Sequence, residues 1–158
     1  MALATLTALV VIALRFILHA IDAPPAGTDF MLVHFLAIAT IVFFTDLGLL
    51  RKDRAAGFPA LVREGFKGAS VYALLMLAFL WLYYTRIETG TFERRIEELV
   101  FRAVEEGAQE GEARRRFSGF FTPFNYASMS FFALLAISLF NALFLGAIHH
   151  KLLRRIMR

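Results

Sequence analysis

The 158-residue chain has no cysteine, one tryptophan and four prolines, and its charge is confined to a few short stretches. Without cysteine there are no disulfides, no thiolate zinc sites, no iron–sulfur clusters and no thiol nucleophile. Prolines and glycines are too few for a collagen-like or low-complexity chain. Phosphate-cradling glycine loops, Gly-x-Ser-x-Gly elbows and His-Glu-x-x-His motifs are absent as well. With no catalytic constellation, the expectation is a non-enzyme without a cofactor or a metal.

Apolar residues are abundant. They make up 59% of the chain, against roughly 45–50% in soluble domains, and the mean hydropathy is +0.64. A span needs about 20 mostly apolar residues to cross ~30 Å of hydrocarbon. Four segments qualify, over about 2–21, 30–50, 66–86 and 124–148. Their unbroken length favours helices over the short alternating strands of a barrel. The expected fold is all-α: a bundle of four transmembrane helices in one membrane domain. The first segment carries Arg15 and lacks a basic leading region, so it reads as a true span rather than a signal peptide.

The net charge of +4 reads as loop cations meeting anionic lipid, not as a nucleic-acid surface. The first loop, 22–29, has no Lys or Arg. Arg51, Lys52, Arg54, Arg63 and Lys67 follow the second span, and Lys151, Arg154, Arg155 and Arg158 end the chain. The positive-inside rule puts those two stretches, and hence both termini, in the cytoplasm. Against it stand seven arginines from Arg86 to Arg116, in a stretch that also holds eight glutamates.

That segment has its own pattern. Phe92, Ile96, Leu99, Val100, Ala103 and Val104 recur at helical spacing, with Thr91 as cap and Glu93 in the first turn. An extracytoplasmic amphipathic helix is expected over about 91–106, then a flexible acidic stretch, then Arg114–Arg116. The whole outer segment runs over about 91–117. Its stripe either rests on the membrane or docks a protein partner, with Phe92, Ile96, Leu99 and Val100 as the contact face.

Polar residues inside spans are costly and usually face a partner or a cavity. An outer set comprises Arg15, His19, His34, Tyr83, Tyr84 and Asn125. It suits a phosphate-bearing head group or an anionic solute, because the arginine fork gives two parallel hydrogen bonds. Snorkelling of Arg15 and His19, with an aromatic belt around them, accounts for the same residues. An inner set comprises Asp46, Tyr72 and Asn141, with Ser70 at the same level. Asp46 either pairs with Arg51, Arg54 or Lys67, or forms a proton or cation site. His149 and His150 suit the end of the fourth helix without ligating anything.

One segment, Phe58 to Gly68 (FPALVREGFKG), leads straight into the third span and Tyr83-Tyr84. A Glu-rich segment follows, then Phe120-Phe121-Thr122-Pro123 and a last apolar span with a basic end. This layout resembles the small four-helix bacterial membrane proteins catalogued as domain of unknown function 4199, common in Bacteroidota. The resemblance implies a multi-pass protein of the bacterial cytoplasmic membrane and supplies no activity. Two functions of different class remain. One is an accessory or scaffold subunit of a membrane assembly. The other is a lipid- or solute-binding transport component, or a homo-oligomeric channel, working through the outer set. Membrane lipids are the expected partners, with a protein partner or a second copy of the chain.

Overall fold

The computed structural model describes residues 1–21, 23 and 27–153. Asp22, Pro24 and Pro25 of the first loop and Arg154, Arg155 and Arg158 of the tail lie outside the described residues. Six helices run in order: α1 (Ala2–Ala20), α2 (Gly27–Lys52), α3 (Phe58–Arg86), α4 (Thr91–Glu105), α5 (Glu110–Phe120) and α6 (Pro123–Ile148). A π-helical turn, His149–Leu153, continues α6, and the described residues contain no strand. Four of the helices (α1, α2, α3 and α6) are long and apolar enough to cross a membrane.

The chain divides into two compact units. The first holds residues 1–75 and 132–158, and so takes in α1, α2, most of α3 and most of α6. Its α1 turns Ala4, Ala8, Val11 and Arg15 inward, at spacings that keep one face. Small residues bring helices close. Gly68 of α3 lies against Ile41 and Thr45 of α2, and Gly146 of α6 against Val62 and Phe58 of α3. The opposite faces are oily. Leu6, Leu9, Val10, Leu32, Leu36, Phe140 and Phe144 are all exposed. So much contiguous apolar surface is untenable in water and suits lipid. The fold therefore defines a multi-pass helical membrane protein.

The expected third span begins too late. Helix α3 starts at Phe58, eight residues before position 66. Asp53 builds the turn before it: its Oδ1 accepts from the Ala55 amide at 2.9 Å and its carbonyl from the Ala56 amide at 3.1 Å. Pro59 then sits in the first turn, where a missing donor costs nothing. The charges that suggested a loop lie on one helical face. Arg63 and Lys67 are exposed and reach Glu64 at 3.6 and 3.9 Å, while Leu61, Gly65 and Ala69 point inward.

The second unit, Met76–Phe131, contains the end of α3, α4, α5 and the start of α6. Ile96 and Val100 of α4 are buried against Ala113 of α5, with Phe117 and Phe121 beside them. The expected flexible stretch after α4 is therefore a second helix. Helix α4 stops at Gly107, whose φ of +94° only glycine adopts cheaply. The Gly107 amide donates to Val104 and the Ala108 amide to Ala103, both at 2.9 Å, which closes a Schellman turn. Gln109 then starts α5 in extended backbone. Replacing Gly107 with Ala should cost roughly 1–2 kcal/mol. Faster hydrogen exchange at the amides of 103–108 is the readout. Thr91 does not cap α4 as expected. Gly90 holds that position, and the Thr91 hydroxyl donates to Glu88 Oε1 at 2.6 Å. Thr122 does cap α6: its hydroxyl oxygen accepts from the Asn125 amide at 3.1 Å, and Pro123 takes the first helical position.

Candidate functional site: a buried Asp–His pair

In the first unit, two polar groups are sealed among apolar neighbours near the Lys52 end of α2. Asp46 of α2 and His149 of the π-helical turn have no exposed surface. His149 Nδ1 lies 3.7 Å from Asp46 Oδ2 and 2.8 Å from the Leu145 carbonyl oxygen. That carbonyl is the acceptor a regular α-helix gives to the 149 amide, and here the imidazole also bonds to it. π-Helical turns are frequent at functional sites. Nδ1 carries the hydrogen that Leu145 accepts, which leaves Nε2 as the ring's lone-pair nitrogen. Neither Asp46 oxygen nor His149 Nε2 has a hydrogen-bond partner, and all three atoms are buried.

The lack of a side chain at residue 65 makes room for the carboxylate. A Cβ on Gly65 would stand 3.0 Å from Asp46 Oδ1 and 3.0 Å from Val42 Cγ1. The Phe43 ring meets the His149 ring edge-on at 4.9 Å. Below the pair, an open groove of about 450 Å³ runs from Lys52, Arg63 and Glu64 past Gly48 and Ala60 to Thr45. Thr45 is the residue next to Asp46. Thr45 lines the groove, but Asp46 and His149 themselves do not.

Asp46 was expected beside Arg51, Arg54 or Lys67 if it served only the interface. It meets none of them in an ion pair: Lys67 goes to Glu64, and the partner of Asp46 is His149. Ending the fourth span at residue 148 puts His149 in water and hides the pair. One signal was present. Asp46 lies six residues, or about 9 Å of helix, inside the Lys52 end, a depth that calls for a partner on another span.

Tyr72 does not belong to the inner set. Because α3 starts at Phe58, Tyr72 lies about 21 Å along it and shares a 2.6 Å hydrogen bond with His34 Nδ1. Phe30 joins this group to α1: its ring packs edge-on to His34 at 5.1 Å, and the Arg15 guanidinium lies over it at 5.1 Å. Such a cation–π contact suits a cation kept from water, and Arg15 is only 6% exposed. Arg15, His34 and Tyr72 therefore form one group, while His19 is exposed. Removing the Tyr72 hydroxyl (Tyr72→Phe) leaves a buried ring nitrogen unmatched. The expected loss is about 1–3 kcal/mol, read as a lower unfolding midpoint in detergent. Asn141 and Ser138 are buried but turn back on their own helix, donating to Ile137 and Leu134 carbonyls at 2.9 and 2.7 Å.

The remaining expected site residues lie in the second unit and are structurally occupied. Asn125 Nδ2 donates to the Gly119 and Phe120 carbonyls at 3.2 and 3.0 Å and holds the α5–α6 turn. Tyr84, Phe92 and Tyr126 form an aromatic triad with centroids 5.0–5.8 Å apart. Tyr83 is buried beside Tyr84. The stripe expected to dock a partner is largely used inside the unit: Ile96 and Val100 pack on α5, Phe92 on the triad, and Leu99 is half-buried.

No cluster of three or more His, Asp or Glu suited to a metal exists among the described residues. No known family profile matches the chain, and neither the curated proteins nor the solved structures contain a significant match.

Proposed function

We propose that this chain is a non-enzymatic transport component of a bacterial cytoplasmic membrane, with both termini cytoplasmic. The observation that carries this reading is the Asp46–His149 pair, sealed at 0% exposure inside a lipid-crossing unit. An ionisable pair there is expensive to keep. A purely structural span has no need of it, whereas a protein that handles charge or a small solute within the membrane does. The groove that reaches Thr45 supplies an approach from the cation-rich end, which the positive-inside rule assigns to the cytoplasm.

The test uses the lack of native cysteine. In inverted vesicles, Thr45→Cys should react with a hydrophilic methanethiosulfonate cation added from the cytoplasmic face. Protection at this position, with normal labelling at Arg51→Cys, overturns the reading. The accessory-subunit reading keeps one observation, the exposed Phe101 and Val104 on the charged helix α4. A second polypeptide in fixed ratio by native mass spectrometry favours it.

A further inference from the structure

We propose that Asp46 and His149 form a single proton-binding site, and that the proton is the species this membrane core handles. The use of the proton rests on the transport reading; the site rests on its own geometry. The pair offers two places for one proton. The carboxylate can take it, forming an O–H bond and leaving a neutral acid beside a neutral imidazole. His149 Nε2 can take it, forming an N–H bond and leaving a carboxylate 3.7 Å from the Nδ1 side of an imidazolium. Both forms contain the same single proton and the same net charge, and nothing is oxidised or reduced. Nδ1 is fixed as a donor by Leu145, so the lone pair at Nε2 and the Asp46 oxygens are the basic positions. All of these are buried and without a hydrogen-bond partner. A buried carboxylate without a hydrogen-bond partner is costly, and a proton is the smallest ligand that neutralises it.

The surroundings fit this ligand. Val42 and Phe43 on α2 and Gly65 on α3 wall the pair. Among the described residues the other charged groups on these elements face elsewhere: Arg63 of α3 and Lys151 of the π-helical turn are exposed. Glu64 and Lys67 of α3 pair with one another, Arg51, Lys52 and Asp53 of α2 and its following turn are exposed, and the His150 ring lies against Phe58 at 6.4 Å. One carboxylate and one imidazole are too few to hold zinc, which takes three or four protein ligands.

The test uses the full-length chain, with ¹⁵N-labelled histidine, in phosphatidylethanolamine–phosphatidylglycerol liposomes. Solid-state NMR follows the His149 ring nitrogens through a pH titration, with His149→Gln assigning the signals. Infrared spectroscopy follows the carboxylic-acid carbonyl band. In the wild type, His149 should show one titration step. In Asp46→Asn its midpoint should move by at least about tenfold in proton concentration. An infrared band lost in Asp46→Asn and displaced in His149→Gln is the reciprocal readout, which serves if either variant folds poorly. A pair in which neither the ring signal nor the carboxylic-acid band responds to pH, or a ring that responds identically without the carboxylate, overturns the site. Titration of the pair with no proton flux in the same liposomes overturns the transport reading and leaves the site. Proton flux without titration of the pair does the reverse.

Discussion

Replacing His149 with Ala should destabilise the protein by about 3–5 kcal/mol, because it strands a buried carboxyl group without the one ionisable neighbour it has among the described residues. Among the described residues Asp46 has no hydrogen-bond donor to turn to, since neither of its oxygens has a partner. The same reasoning gives the opposite sign for a paired change. Asp46→Val with His149→Leu keeps similar volume and removes both polar groups. It should recover most of the loss and even exceed the wild type. Unfolding midpoints in mixed detergent and SDS compare the three proteins. If His149→Ala unfolds at the wild-type midpoint, the two side chains are not a coupled unit. A double variant that recovers stability while losing function would show that the pair is kept for use.

The second large effect concerns residue 65. Gly65→Ala places a methyl group 3.0 Å from both Asp46 Oδ1 and Val42 Cγ1. Val42 has no exposed surface and no room to retreat. Overpacking of this kind costs about 1–3 kcal/mol, and Gly65→Leu, which must push α2 from α3, should prevent folding. Three glycines make a graded series. At Gly68 the nearest atoms, Ile41 Cγ2 and Thr45 Oγ1, stand at 3.3 Å, so Ala is tolerated with a smaller loss. At Gly48 nothing lies within 4 Å, so Ala should stabilise by about 0.5–1 kcal/mol through helix propensity alone. The order 48, 68, 65 from gain to greatest loss is the expected result. Equal effects at all three would mean that helix propensity, not helix contact, sets the response.

Much of this was legible in the residues. Length and apolarity alone place α1, α2 and α6 within a few positions, because a membrane-crossing helix leaves an unbroken signal. Thr122-Pro123 marks the start of α6 by capping chemistry that is wholly local. Helix α3 was harder. Its first turns carry Arg63, Glu64 and Lys67 on one face, and a hydropathy window averages them with the buried Leu61 and Gly65. Reading that stretch by helical period rather than by mean would have moved its start to Phe58. That shift alone separates Tyr72 from Asp46 and delivers it to His34.

The Asp46–His149 pair was not legible because its distance is tertiary. The two residues are 103 positions apart in sequence, and nothing local ties them together. His149 also sits where an apolar run ends, a place that usually means water. Only the continuation of α6 through a π-helical turn brings the imidazole inward. The stripe on α4 was read correctly as apolar but without its occupant, since the acidic composition of 105–112 hid the helix α5 that covers it.

The most direct measurement is of charge crossing the membrane core. Proteoliposomes of the full-length chain, adsorbed to a solid-supported membrane, are given a pH jump and the current is recorded. The wild type should give a transient current that disappears in Asp46→Asn, while Glu97→Gln, altered on the exposed face of α4, retains it. A wild type that carries no current, or an Asp46→Asn variant that carries the same one, would contradict the transport reading.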